Sequence, residues 1–407
     1  DTGDVVDSSI FNRNIAVEDR LNIKLQYEPT TDDIHNGPTT NDLVKAAVAA
    51  GDPVYDLFAN HMSQTTPLVL TQHFYNLYAQ PYLDFDMPWW NQSFKEQVTL
   101  NGKNYMAAGD ISQTMLRGTY VTIMNKAVLD EYYNGYDVYD TVRSGGWTFD
   151  EFLRLADMYH DVNGDGKADE NDIYGVIRDR IGIVNDALIG SFDIPLVTND
   201  GSGLQVVFNS EKTINFIERM QTLCYTNNYA ISQEFDQLQN KLMDDTALMV
   251  IYRLSLTEAL RDMEADYMIL PCPKYDEAQQ KYCGFTHNGF SVFCIPVSAA
   301  NPDISAATLE ALCAESYRHC TMAYYETTVK GKLARDGETA EMIDLIHEGI
   351  RFDFGYVYSA SLENIIQIPR SHINNNQTSK GASILATKVA LSEAKLPELL
   401  AAFDELK

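Results

Sequence analysis

The chain has 407 residues, of which 45% are hydrophobic, enough for a packed core and, by length alone, for two or three domains. Its formal charge of -28 argues against nucleic acid and anionic membranes as partners. No run of eighteen or more apolar residues exists, and the opening Asp1-Thr-Gly-Asp has no basic and apolar signal region, so targeting information is expected to have been removed.

In chain order, Asn22 to Tyr27 reads as a strand, followed by a loop ending at Asn41, a helix stopping at Gly51, and a second strand at Val54–Ala59. Strand, helix, strand at this spacing predicts a βαβ unit and a parallel sheet. Ligands of such sheets sit beyond the carboxyl ends of the strands, which makes Asn60 and His61 candidates for a cleft. Met87-Pro-Trp89-Trp90-Asn91 reads as mainly packing, with Trp89 a candidate ligand contact. Asn101-Gly102 marks a hairpin turn, and the irregular loop beyond it carries Asp110.

Thr119 to Met124 is a strand leading into a helix after Asn125. Thr148 and Glu151 form a capping-box pattern opening a helix near Phe149, with Phe149, Phe152, Ala156 and Tyr159 on one apolar face. Asp161-Val-Asn163-Gly-Asp165-Gly166-Lys167-Ala-Asp169-Glu-Asn-Asp172 then places oxygen side chains at positions 1, 3, 5, 9 and 12. Gly166 stands where the loop must turn, and the Lys167 carbonyl supplies position 7. Carboxylates so close together repel unless a cation sits among them, and hard oxygen ligands favour calcium. Asp172 is shorter than the usual Glu, and Ile173–Ile177 reads as a strand instead of a second helix, so the ion is expected to be a structural staple and not a sensor.

Further on, Ser210 caps a helix through roughly Asn227, another covers Gln233 to Met243, and Thr246–Ile251 is an apolar strand buried on both faces. Tyr252 and Arg253 fall at its carboxyl end. Leu254–Ala265 is helical, Tyr267–Leu270 a strand, and Gly284–Pro296 a longer strand broken at Asn288-Gly289. From Ser305 the pattern is helical, interrupted at Phe352–Tyr358. Cys224, Cys313 and Cys320 fall in helical patterns; Cys272 and Cys283 flank a turn-like segment, open to a cross-strand disulfide or to two buried thiols.

Catalytic signatures are near misses. His347-Glu348 lacks a second histidine, Gly289-Phe-Ser-Val-Phe293 lacks the closing glycine of a nucleophile elbow, and no GxGxxG or phosphate loop is present. What is abundant is aromatic amphipathic surface, with 24 tyrosines, whose rings suit the C–H faces of sugars.

Val54–Ala59 with its polar loop, Val121-Thr-Ile-Met-Asn125-Lys126, Gly146-Trp-Thr-Phe-Asp-Glu-Phe152, the acidic loop with Tyr174-Gly175, Ala247–Ile251, Leu270-Pro-Cys-Pro-Lys-Tyr275 and Phe285-Thr-His-Asn-Gly-Phe-Ser291 together resemble the extracellular solute-binding proteins of carbohydrate ABC importers, the maltose-binding-protein group. The resemblance implies an α/β, two-lobed periplasmic-binding-protein-like (type II) fold, each lobe a mostly parallel sheet flanked by helices. Lobe one is expected at 1–112 with 257–325, and lobe two at 113–256 with 326–407, carrying the calcium-type loop at 161–172. It implies no enzymatic activity, a carbohydrate ligand, ABC permease subunits as partners, a monomer, and a cell-surface lipoprotein of Gram-positive type or a periplasmic protein, held to the membrane only by an N-terminal lipid anchor. By position, Asn60 and His61 resemble its first-lobe sugar loop, and Arg117, Tyr252 and Arg253 its cross-cleft contacts; Trp89, Asp110, Asn288 and Tyr358 are further candidate ligand-binding residues. The competing readings are a carbohydrate-active hydrolase and a surface adhesion or peptide-binding protein.

Overall fold

The computed structural model describes residues 5–29, 38–199, 201, 203–226, 228–330, 337–376 and 381–406. Among the described residues nine strands are defined: β1 Phe58–His61, β2 Tyr120–Asn125, β3 Tyr174–Asp179, β4 Val197–Asn199, β5 Leu204–Val206, β6 Ala230–Gln233, β7 Ala247–Arg253, β8 Tyr267–Leu270 and β9 Ser291–Cys294. Five of them form one sheet in the order β6-β3-β7-β2-β8. Here β3 runs parallel to β6 and β7, whereas β2 is antiparallel to β7 and β8. Every residue of β2 and β3 is buried, as the apolar runs require when helices cover both faces of a sheet. Helices Phe149–Ala156, Ile183–Ser191 and Phe235–Met243 supply that cover.

Caps follow the sequence closely. Asn125 accepts the Val128 N–H at 3.0 Å and Ser210 that of Thr213 at 3.2 Å. Only half of the capping box forms. Thr148 accepts the Glu151 N–H, but the Glu151 carboxylate turns to Arg154 and Tyr136 instead of the cap. That helix ends at Ala156, and the helix from Glu211 ends at Tyr225; Asn227 lies outside the described residues, as do residues 1–4. The Asn101-Gly102 turn closes a Leu100–Lys103 bridge, with both central residues at positive φ.

The other lobe departs from expectation. Residues 22–27 are not a strand; they follow a helix at Val5–Leu21 and pair with no ladder. The next helix starts at Pro38, and Asn41, inside it, uses its amide to join Gln64 and Asn60. With no neighbouring parallel strand, β1 pairs antiparallel with β9, placing His61 opposite Ser291. The expected parallel sheet is therefore a two-stranded antiparallel pair. All six cysteines are free thiols, so Cys272 and Cys283 form no disulfide.

The lobe limits also need correction. β8 was placed in lobe one, but it hydrogen-bonds to β2 and extends the five-stranded sheet, because β2 offers the apolar edge that a buried four-residue strand needs. The return crossing comes later, where Gly284–His287 lies beside Gly118–Tyr120 and Gly349–Arg351. Thr119 pairs with Thr286, and Gly284 with Ile350. Phe352 then packs on Phe94 and Phe290 of the first lobe, and the helix Gly381–Asp404 touches both lobes, meeting Ile217 at one end while residues 404–406 bond to Gln72, Asn101 and Lys103.

Candidate functional site

The carboxyl ends of β3, β6 and β7 point at the seam between the lobes, where strand ends leave backbone groups and loops free to shape a site. Tyr252 and Arg253 close β7, and the register sets Arg253 opposite Tyr120. The Arg253 guanidinium stacks 5.1 Å from the Tyr252 ring centroid and donates to its hydroxyl at 3.1 Å. Phe235, immediately beyond β6, lays its ring 5.8 Å from that of Tyr252 and stays 43% exposed.

At the end of β3 the Asp179 carboxylate accepts the N–H groups of Gly182 and Ile183, capping helix Ile183–Ser191. Gly182 has φ +89°, a conformation that glycine adopts without strain, and a Cβ there would collide with Asn185. Asn185 is fully buried, and neither of its amide atoms has a hydrogen-bond partner in the protein. One residue on, Asp186 takes both Nε and Nη2 of Arg370. Burial raises the Asp186 carboxyl above its ordinary pKa, and the guanidinium opposes that rise.

From the first lobe come Asn60 and His61. The Asn60 amide donates to Asn41 and accepts the His61 N–H, whereas the buried His61 Nδ1 has no protein partner. Burial lowers the His61 pKa. Asn288 gives its carbonyl to the Ser63 N–H. Beside it, His287 accepts the Gly289 N–H on Nδ1 at 3.1 Å, which assigns the proton of the neutral ring to Nε2. Burial, with the charges of Arg253 and Arg370 nearby, pushes His287 down to about 4. Its ring meets Tyr120 edge-on at 6.3 Å.

Asn60, His61, Asn288, Tyr252 and Arg253 thus border the seam. Four other candidates are placed elsewhere. Tyr358 is 1% exposed and packs on Phe354 and Phe403, so it is core and not a sugar contact. Trp89 and Trp90 both donate their indole N–H to Glu310, an arrangement that fixes helix Pro302–Glu315 to the chain before it. Arg117 is held by both oxygens of Glu258. Asp110 accepts from the Thr321 hydroxyl, and burial raises its pKa. Tyr120, His287, Asn185, Phe235 and Arg370 were not anticipated. The strand-end rule that singled out Tyr252 would have reached Phe235, but Arg370 and His287 carry no such signal.

The acidic loop is closed at its base by a bridge between His160 and Ile173, with N–H to O distances of 3.0 and 3.1 Å. Asp161 accepts the N–H groups of Gly164 and Gly166, Asn163 that of Asp165, and Asp165 that of Lys167. Gly164 and Gly166 are left-handed, at φ +72° and +73°. Asp172 is wholly buried and accepts from Tyr159, Val162 and Asp169; the Asp169 N–H foremost holds its carboxyl below the ordinary range. The Lys167 carbonyl lies 3.1 Å from the same hydroxyl and competes with Asp172 for its one proton. Among the described residues no three His, Cys, Asp or Glu side chains converge on one point. The backbone turns and the oxygen donors nevertheless occur in the order a calcium loop needs.

Five mixed strands with helices on both faces, a second lobe built on β1 and β9, and several crossings between them define the two-lobed periplasmic-binding-protein-like fold of type II. No family model matches the chain, and no curated protein matches it by sequence. Among solved structures it is similar to a cyclo/maltodextrin-binding protein complexed with maltotetraose, at 12% identity and TM-score 0.62, covering 100% of this chain and 96% of that one. It is likewise similar to a maltose/maltodextrin-binding domain from Bdellovibrio bacteriovorus bound to maltotriose, at 12% identity and TM-score 0.63, covering 96% of each chain. A third is an ABC substrate-binding protein from Listeria monocytogenes in complex with cycloalternan, at 13% identity and TM-score 0.58, covering 98% and 96%.

Proposed function

We propose that this chain captures a carbohydrate at the seam between its lobes and delivers it to the permease subunits of an ABC importer. The observation that carries the reading is a set of polar side chains, His61, Tyr120 and Arg253 at strand ends and Asn185 in the first turn of the helix after β3, each with a buried polar atom that finds no partner in the protein, in a fold shared with sugar-bound proteins. Buried polar atoms are costly unless satisfied, and a polyhydroxylated ligand satisfies donors and acceptors alike. Phe235 and Tyr252 add ring surface of the kind that stacks on a sugar face. The two acids of the seam, Asp179 and Asp186, are committed to a helix cap and an ion pair, which favours capture and release over hydrolysis.

In the same reading calcium staples the 161–172 loop through the side chains of Asp161, Asn163, Asp165, Asp169 and Asp172 and the Lys167 carbonyl, its charge offsetting the mutual repulsion of the carboxylates. The place of work is outside the cytoplasmic membrane, the protein being a monomer held by an N-terminal lipid anchor or retained in the periplasm. Among the described residues no helix is long and apolar enough to cross a membrane.

The test is a glycan array followed by calorimetry. Saturable binding with the sugar recovered intact supports the proposal; release of new reducing ends replaces it with hydrolysis, and failure to bind any saccharide removes it.

A further inference from the structure

The charges at the seam do not balance. Arg370 is neutralised by Asp186 through two hydrogen bonds, and Arg180 pairs with Glu234 at the exposed rim at 3.3 Å. Asp179 is consumed by two backbone N–H groups. The Nδ1 of His287 is an acceptor, so that ring is neutral. Arg178 and Arg253 differ from these, since among the described residues neither has a carboxylate within ion-pair distance: the buried Arg178 donates to the Asn374 amide oxygen at 3.3 Å, whereas the half-buried Arg253 donates to the neutral Tyr252 hydroxyl and keeps a buried Nε without an acceptor. In a chain of net charge -28, with 58 acidic residues against 30 basic ones, a partly buried guanidinium without a carboxylate partner is notable.

Desolvating a guanidinium without a counter-charge is unfavourable, and its planar fork is matched best by a two-oxygen anion. Stacking on Tyr252 holds the plane of the fork in place, so that an incoming acid meets it already oriented. On the neighbouring strand Tyr120 stands opposite Arg253, and its hydroxyl, without a partner in the protein, can both donate to and accept from a sugar hydroxyl. Repulsion from the acidic surface is screened beyond about 8 Å at physiological ionic strength, so the local cation decides.

We propose that the saccharide bound at this seam is acidic, carrying a carboxylate or sulfate group that Arg253 receives through its Nε and Nη atoms. This rests on the reading of the seam as a carbohydrate site. A uronic acid and a sulfated sugar present the same chemistry to the guanidinium, and the experiment separates them.

The test uses the full chain on an array of neutral, uronate-containing and sulfated oligosaccharides, followed by calorimetry on trigalacturonate, its methyl ester, a sulfated chondroitin disaccharide and maltotriose. An acidic member is expected to bind, and esterification of a bound uronate to weaken it roughly 10- to 100-fold, the range of a charge-assisted hydrogen-bond pair. R253Q is expected to lose the same factor for the acid and little for the ester, with R253K recovering part. Because the chondroitin disaccharide also carries a uronate, binding that is lost when its sulfate is removed identifies sulfate as the anion and supports the proposal. Equal affinity for acid and ester, or preference for maltotriose, overturns the acidic ligand while leaving carbohydrate capture standing. Absence of binding to every saccharide overturns capture itself. The acid and ester comparison uses the unmodified protein, so it decides the matter even where R253Q fails to fold.

Discussion

Gly175 lies on β3 between the acidic loop and the seam, and its substitution by alanine gives a sharp test of how tightly that strand is held. A Cβ at this position would lie 2.2 Å from the Ala156 carbonyl oxygen, 2.5 Å from the Ala156 Cα and 2.6 Å from its carbonyl carbon. All three are backbone atoms at the end of helix Phe149–Ala156, so no side chain can rotate away. Relief requires the helix end to move off β3, which is itself bonded to β6 and β7. Overpacking costs about 1–3 kcal/mol, and a contact with rigid backbone on both sides belongs at the upper end, about 3 kcal/mol. With an unfolding entropy of about 2.1 cal/mol/K per residue over 407 residues, or about 0.85 kcal/mol/K, the melting midpoint should fall by roughly 3–4 °C. Thermal melts monitored by circular dichroism measure it, with G102A as the control, since a Cβ at Gly102 meets nothing within 4 Å. There only the left-handed backbone is strained, which costs about 1 kcal/mol. If G175A melts no lower than G102A, the close packing of helix on strand argued here is refuted.

Chelation should lower the melting temperature: an ion at 100 times its dissociation constant adds about 2.7 kcal/mol by mass action, so excess EDTA should cost roughly 3 °C, and an unchanged melt would remove the calcium staple. His287, held near 4 against an ordinary imidazole value of 6.5, stays neutral in the fold while the unfolded chain takes up a proton. The stability associated with the neutral ring is therefore full above pH 6.5 and is lost as pH falls towards 4, by up to about 3 kcal/mol. Urea titrations at pH 7 and pH 4.5 should show a smaller difference for H287Q than for the unmodified chain. In E310A the N–H of Trp90, whose side chain is 2% exposed, loses its acceptor, so stability should fall by about 1–3 kcal/mol with ligand affinity unchanged; a loss of affinity would return Trp89 to the binding site.

The second lobe was largely legible because its strands are continuous apolar runs and its helices open on Asn, Ser and Thr caps, both local signals. The first lobe was not. Its β1 and β9 are four residues each and lie more than two hundred positions apart, so their antiparallel pairing has no local signature. The partner of β8 was misjudged for the same reason: an apolar tetrapeptide declares burial but not a neighbour. At the seam, strand ends revealed Asn60, His61, Tyr252 and Arg253, whereas Arg370 arrives from a helix near the end of the chain and is hydrogen-bonded there to Asp186. Tyr358 shows the opposite failure. It stands among the candidate ligand residues, yet Phe354 and Phe403 enclose it.

The helix Gly381–Asp404 has 24 residues, a rod of about 36 Å, and it is fastened at both ends: near Ile217 in one lobe, and beside Asn101 and Lys103 in the other. Pro397 interrupts its ladder of backbone bonds, yet with both ends fastened the helix spans the two lobes as a brace beside the three crossings. Removing residues 404–406 would take away the bonds to Gln72, Asn101 and Lys103 and unfasten one end of this brace without touching a residue of the seam.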